Sequence, residues 1–413
     1  MHSVVIGGGI IGLTTAYHLA RDGTDVTVLD ARATGRGASA VNAGWFVPAE
    51  AMPVPGPKVV VQTLRWMLRP DSPVYIRPSL DPHFIGFMLQ MWRHCTDRHQ
   101  RAGFLAHLQL AQNTGHLLDE YRADGMDYEL HTAGLLMAFT QRENLDHHLH
   151  NLDLVREHDL DPQVLVGDDV RAHEPLLTDR VCGGIFFPTE RHLDPRAFVA
   201  ALHKRLQEKG VRIVENARVE RADVREGSGR RRLTAVHTPS GMYEGDTFVL
   251  ATGAWTAELS ARLGHRLPVR PGKGYSVDVD PLPLRSATNL SDVKVALTPF
   301  ADRLRLAGTM EFAGLDENVN EVRVAAILRG PQDYLRGWQP STGPLRPQAG
   351  MRPMTPDGLP VIGAFPGLDN AYVSTGHGML GVTLAAGSAL ALTDLVLHGI
   401  RRPELLPFDP ARF

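Results

Sequence analysis

Two glycine-rich stretches carry the clearest chemistry in the sequence. Gly7-Gly8-Gly9-Ile10-Ile11-Gly12 fits GxGxxG, and Asp30 follows 18 residues after Gly12. Gly7 permits a tight turn, Gly9 lets a pyrophosphate approach the backbone, and Gly12 lets helix and strand pack closely. A helix starting there turns its N-terminus to the phosphates, and Asp30 can accept from ribose hydroxyls. The competing reading is a glycine turn in an unrelated βαβ unit. Gly376-His377-Gly378-Met379-Leu380-Gly381 repeats the spacing, but only 32 residues follow Gly381 and no second strand ends in an acid. That argues against a separate nicotinamide site. A glycine-rich helix start presents N–H groups and a positive dipole end, which would stabilise the charge a reduced flavin gathers near N1 and O2. One cofactor held at both ends then explains both motifs; the plain alternative for the second is a turn needing φ > 0.

These residues need particular elements to place them. Ser3 to Ile6 reads as a buried strand, Leu13 to Arg21 as a helix closed by Gly23, and Val26 to Leu29 as a second strand ending at Asp30. Arg212 to Val219 and Phe248 to Leu250 read as further strands, the latter running into Ala251-Thr252-Gly253, and Ala371 to Thr375 precedes the second motif. Leu64 to Met91 and Phe104 to Tyr121 have helical apolar spacing; Tyr128 to Phe139 and Lys294 to Leu306 alternate like strands. Val382 to Leu397 is apolar but broken by Gly387, Ser388 and Asp394, and its small residues suit a helix packed on a sheet.

Composition excludes several classes. At 413 residues, 43% hydrophobic and 22% charged, the chain can bury a sizeable core and more than one domain. A net charge of −3 gives no electrostatic case for nucleic acid. The 38 Arg to 5 Lys reads as codon bias. Cys95 and Cys182 make no disulfide framework or metal spacing, which points to a reducing compartment. His94/His99 and His147-His148-His150 lack carboxylate or Cys partners at ligand spacing, so no metal is expected. No targeting segment or membrane span is visible, and a cytoplasmic chain is the expectation.

VVIGGGIIGLTTAYHLARDGTDVTVLDA and SAVNAGWFVP (Ser39 to Pro48) resemble the D-amino-acid oxidase/dehydrogenase superfamily of FAD enzymes. PGPKVVVQTLRWML, FMLQMWRHCT, PVRPGKGYSV, GMRPMTPDGLPVIGA and YVSTGHGMLGVTLAAGS narrow this to the bacterial D-amino-acid dehydrogenase small-subunit group. The resemblance covers nearly the whole chain. It implies an α/β fold: a Rossmann-like, glutathione-reductase-like FAD domain from residues 1–50, 195–260 and 345–413, and an α+β substrate domain with a large, mostly antiparallel sheet from 51–194 and 261–344.

The resemblance also implies roles. Gly7, Gly9, Ile10, Ile11 and Gly12 hold the pyrophosphate; Asp30 and Ala31 take the adenosine ribose. Ser39, Asn42, Ala43 and Gly44 line the isoalloxazine edge, Val219 meets adenine, and Ala251, Thr252 and Gly253 follow the diphosphate. Gly378, Met379, Leu380 and Gly381 face the flavin pyrimidine. Arg352, within Gly350 to Gly358, holds the substrate carboxylate, a task suited to a guanidinium because it binds bidentately and keeps its charge. Tyr275 is a pocket wall or hydrogen-bond donor, or else a packed sheet aromatic, and His377 caps or packs. Trp45 and Val382 depart from the group's usual Gln and Trp, and Arg285 to Met310 lacks a tyrosine, so the pocket wall is redrawn.

The implied reaction is hydride transfer from Cα of a neutral-amine substrate to flavin N5, giving an imino acid that water hydrolyses to a 2-oxo acid and ammonia. A quinone, carrier or O2 then accepts the electrons. Secondary-amine oxidation of the sarcosine, D-proline or D-hydroxyproline type is the alternative. A flavin-binding subunit without catalysis is a further one, and an NAD-dependent dehydrogenase another. An apolar loop around Ala51 to Pro57 offers a route to peripheral membrane contact on the inner face.

Overall fold

The structure, a computed structural model, describes residues 1–57, 66, 69, 71–150, 152–158, 160–227, 230–340 and 343–413. Most of the PGPKVVVQTLRWML stretch, and the start of the helix expected from Leu64, lie outside the described residues.

The first strand, His2–Ile6, is central in a six-stranded sheet. Asp25–Leu29 and then Arg212–Val214 lie on one side of it; Thr247–Leu250, Ala371–Thr375 and Val361–Ala364 follow on the other. All neighbours are parallel except the last pair. Val4, Val5, Val28, Val249 and Val373 are fully buried, as expected of a sheet covered on both faces. Arg212–Val214 stops short of the expected Val219 because Asn216 turns into the left-handed region at φ 55°.

A second sheet of nine strands is mostly antiparallel. Its part beside the site runs Gln348–Met354, Arg270–Val279, Leu304–Phe312, Val295–Pro299, Ala287–Leu290. Gln348–Met354 pairs with Arg270–Val279, so residues 345–413 do not all go with the parallel sheet as expected. The short strand Val74–Ile76 pairs with Met310–Phe312 and interrupts the helical reading of Leu64 to Met91, which resumes only at Pro82–His94. Phe104 to Tyr121 divides into Asp97–Ala111 and Thr114–Ala123. Gly134, at φ 78°, separates the strands Leu130–His131 and Leu135–Phe139.

Gly381–His398 is long and apolar enough to cross a membrane by length and composition, yet most of it is buried. It packs on the helices Ile10–Arg21, Asp97–Ala111 and Thr114–Ala123 rather than chiefly on a sheet. Gly387 is where the fit is tightest: a Cβ there would fall 1.9 Å from the Leu110 carbonyl oxygen. Ala51 to Pro57 is buried or half-buried throughout and is no exposed apolar loop.

Candidate active site

A cavity of about 930 Å³ opens at the C-terminal ends of the parallel strands, where open α/β sheets bind ligands. It is lined at one end by Ala217, Arg218 and Val219 and at the other by Arg352 and Gly378. Gly7, Gly9, Ile10, Ile11, Asp30, Ala31, Ala251, Thr252 and Gly253 line it between. Gly12 lies beneath rather than on its wall. A Cβ on Gly12 would fall 1.8 Å from the Gly7 carbonyl oxygen, which locks helix Ile10–Arg21 to the turn. Gly7 itself sits at φ 118°, and a Cβ there would fall 2.3 Å from the Ala251 oxygen. A Cβ on Gly9 would meet only the Ser39 hydroxyl, at 3.0 Å.

Asp30 holds the turn. Its carboxylate accepts from Gly8 N at 2.6 Å and Arg32 N at 2.8 Å. Burial raises its pKa, while these two N–H groups favour the ionised form. Each oxygen keeps lone pairs for further donors. Arg32 stacks over Trp255 at 4.7 Å, at the same end as Val219. This glycine cradle, acid and elongated cavity fit FAD.

The loop after helix Ala38–Val41 is built from the large sheet. Arg305, fully buried, makes two bonds to Asp278, 2.7 and 3.1 Å, and donates to the Ala40 and Asn42 carbonyls. Thr298 donates to the Ala43 carbonyl at 2.9 Å and accepts from Trp45 Nε1 at 2.8 Å. Ser39, Asn42, Ala43, Gly44 and Trp45 all line the cavity, but not in one role. The Ser39 hydroxyl accepts from Ile10 N at 2.9 Å, beside the first glycine turn. The Asn42 amide is used within its own loop, donating to Ala38 and Ser39 carbonyls and accepting from Gly44 N.

Gly378, Met379, Leu380, Gly381 and Val382 line the opposite wall at the start of helix Gly381–His398. Gly376 and Gly378 take φ 78° and 54°, the left-handed turn that glycine permits. His377 packs, its Nε2 3.0 Å from the Ser388 hydroxyl, and burial drives its pKa down to about 3. The ring is neutral at physiological pH.

Arg352 reaches the cavity across Gly274, where a Cβ would fall 2.0 Å from its Nη1. It donates to the Thr309 carbonyl at 2.7 Å. That carbonyl is aimed by a bulge: Lys273 pairs with Glu311 and Tyr275 with Gly308, so Gly274 alone opposes Thr309 and Met310. Thr309 takes φ 68°, a strained value for a β-branched residue. Among the described residues no carboxylate lies within ion-pair distance of Arg352, and burial alone pulls its pKa from 12.5 to about 10. A guanidinium so placed attracts an incoming anion.

Tyr275 also borders the cavity, but its hydroxyl donates to Glu311 at 2.8 Å. It is 2% exposed and shares its strand face with Lys273, which also reaches Glu311, while Gly274 faces Arg352. The packed-aromatic reading fits this better than a donor to substrate. Three further polar residues, Glu50, Asn289 and Lys294, line the cavity beyond the glycine motifs. They lie on a short turn and a hairpin end, and no spacing in the sequence marks them.

The chain is 34% identical over 98% of its length, and 96% of the relative's, to a D-amino acid dehydrogenase of Bradyrhizobium diazoefficiens. It is 35% identical over 98% of its length, and 97% of the relative's, to a D-amino acid dehydrogenase of Xanthobacter autotrophicus. The fold is shared with the glycine oxidase of Geobacillus kaustophilus, at a TM-score of 0.78 and 23% identity, over 100% of this chain and 98% of that one. Residues 2–395 match a single family description, and with the cradle above this makes the chain a member of the DAO family, the FAD dependent oxidoreductases.

Proposed function

We propose that the protein oxidises free α-amino acids, D-amino acids first among them, to imino acids that water hydrolyses to 2-oxo acids and ammonia. The observation that carries this is Arg352, a half-buried guanidinium without a carboxylate partner among the described residues, bordering the FAD cavity. The names of the two relatives supply the D configuration and the dehydrogenase character.

FAD, when bound, supplies the acceptor for the electron pair leaving Cα. The chain's residues do the rest. Gly7, Gly9, Ile10, Ile11 and Ser39 hold the diphosphate with Gly12 packed beneath the turn, Asp30 and Ala31 hold the ribose, and Val219 the adenine. Ala251 to Gly253 follow the diphosphate. Asn42 to Gly44 and Gly378 to Gly381 frame the ring. Arg352 binds the carboxylate and thereby fixes Cα, a gain from orientation. Met52, Val54, Val74, Ile76, Met310 and Phe312 give an apolar wall that keeps water from the reacting centre. Residues 1–50, 195–260 and 355–413 form the cofactor part and the remainder the substrate part, with strand Gln348–Met354 on the substrate side. Electrons pass to a quinone or carrier rather than O2; a quinone would place the work at the inner face of the membrane, with the bulk of the chain in the cytoplasm.

Anaerobic mixing of the yellow holoenzyme with D- and L-amino acids, sarcosine, D-proline and D-hydroxyproline tests the reading. D-amino acids should bleach the flavin, and steady turnover should need a dye or quinone. Bleaching by the secondary amines alone would overturn it.

A further inference from the structure

The substrate end of the cavity carries both signs of charge. Arg352 lies at one side and Glu50 and Lys294 at the other. The remaining acids on the wall, Asp30, Glu258 and Glu317, line it with the adenine-side residues Arg32, Arg218 and Arg262. Asp30 is bonded to the turn, Glu317 accepts from Arg32, and Glu258 accepts from Arg218 and Arg262. Among the described residues, Glu50 is therefore the one lining carboxylate on the substrate side.

Glu50 is held firmly. It ends the 3-10 turn Pro48–Glu50, with its N–H donating to the Val47 carbonyl at 3.1 Å. Ala49 N, next to it, donates to the buried Glu190 carboxyl at 2.9 Å. Glu50 Oε2 accepts from Asn289 Nδ2 at 3.3 Å, the one side-chain hydrogen bond given to it among the described residues. Asn289 pairs with Ala296 and Ala296 with Ala307, two residues from Thr309, the anchor of Arg352. The two anchors thus stand on one sheet, two strands and two residues apart, roughly 12 Å.

The geometry points to Glu50 as the group that holds the substrate's α-ammonium and accepts one of its protons. This rests on the function proposed above and adds its second recognition point. The proton moves from R–NH3⁺ to the Glu50 carboxylate, leaving R–NH2 and a neutral carboxyl; no electrons move. Burial favours the neutral carboxyl of Glu50, opposed by Lys294 and the Asn289 bond. Glu190, beside it, is also raised by burial, to about 8.

The test is anaerobic flavin bleaching by a D-amino acid from pH 6 to 10 in wild-type, Glu50→Gln and Glu50→Asp holoenzymes. Binding of benzoate, which lacks the amine, is read alongside from the flavin spectrum. We expect E50Q to lose about 100-fold in bleaching efficiency at pH 7. Its log rate should then climb one unit per pH unit until the free amine deprotonates, while benzoate binds within about threefold and E50D keeps the wild-type profile. An E50Q enzyme with the wild-type profile overturns the role of Glu50 alone. Equal loss of benzoate and amino acid would also overturn it, showing a structural effect. A wild-type flavin that no α-amino acid bleaches overturns the proposed function and this role together.

Discussion

Replacing Arg352 by Met should make the protein more stable and nearly unable to bind substrate. The fall of the Arg352 pKa from 12.5 to about 10 comes from burial alone. A base depressed in the folded state costs folding energy wherever it stays charged, at all pH values below that folded pKa. Here the cost is about 3 kcal/mol at neutral pH. Methionine removes the charge and keeps much of the volume, but it also removes the 2.7 Å bond to the Thr309 carbonyl, worth about 1 kcal/mol. The net expectation is a gain of about 2 kcal/mol. Losing a buried charge-assisted pair should at the same time weaken carboxylate binding by about 3 kcal/mol or more, over 100-fold. Thermal melting of the holoenzymes without substrate reads the first effect, and benzoate titration of the flavin spectrum the second. A structural arginine would give the opposite first result. A lower melting temperature together with benzoate affinity within tenfold of wild type would refute the reasoning.

Gly274→Ala should mimic much of this without touching Arg352, since the new Cβ would fall 2.0 Å from its guanidinium. Substrate affinity should drop at least tenfold with the flavin retained, measured by the same titration; unchanged affinity would show that Arg352 has room to yield. Glu190, raised from 4.5 to about 8, contributes stability that is full below pH 4.5 and lost as pH rises through about 8. Glu190→Gln should therefore match wild type near pH 4.5 and gain on it by pH 9, by a few kcal/mol in denaturant melts, and parallel curves would exclude the effect.

The parallel sheet was legible because its strands are short apolar runs, two of which, His2–Ile6 and Ala371–Thr375, run straight into glycines. Strand ends were harder. Arg212–Val214 stops five residues before Val219 because Asn216 turns left-handed, which a residue type permits but does not announce. The helix read through Leu64 to Met91 failed where Val74–Ile76 found a partner 236 positions away, counted from Val74 to Met310, a pairing that local spacing cannot encode. Arg352 stood out only through the motif around it; that the Thr309 carbonyl would hold it depends on a bulge between distant strands. The sequence leaves Tyr275 open between two roles, and the neighbouring Glu311 decides between them. Glu50 and Asn289 lie 239 residues apart and meet only in three dimensions, a contact that local spacing does not encode.

The central sheet gathers its strands from opposite ends of the chain: His2–Ile6 is flanked by Thr247–Leu250, and that strand in turn by Ala371–Thr375. At about 5–20 residues per second, the first glycine turn waits many seconds on the ribosome before the strand and helix that complete its cavity are made. Stable coenzyme capture is therefore a late event in biogenesis, and chains interrupted before residue 371 would expose the side of Thr247–Leu250 that Ala371–Thr375 covers, an open edge for quality control to seize.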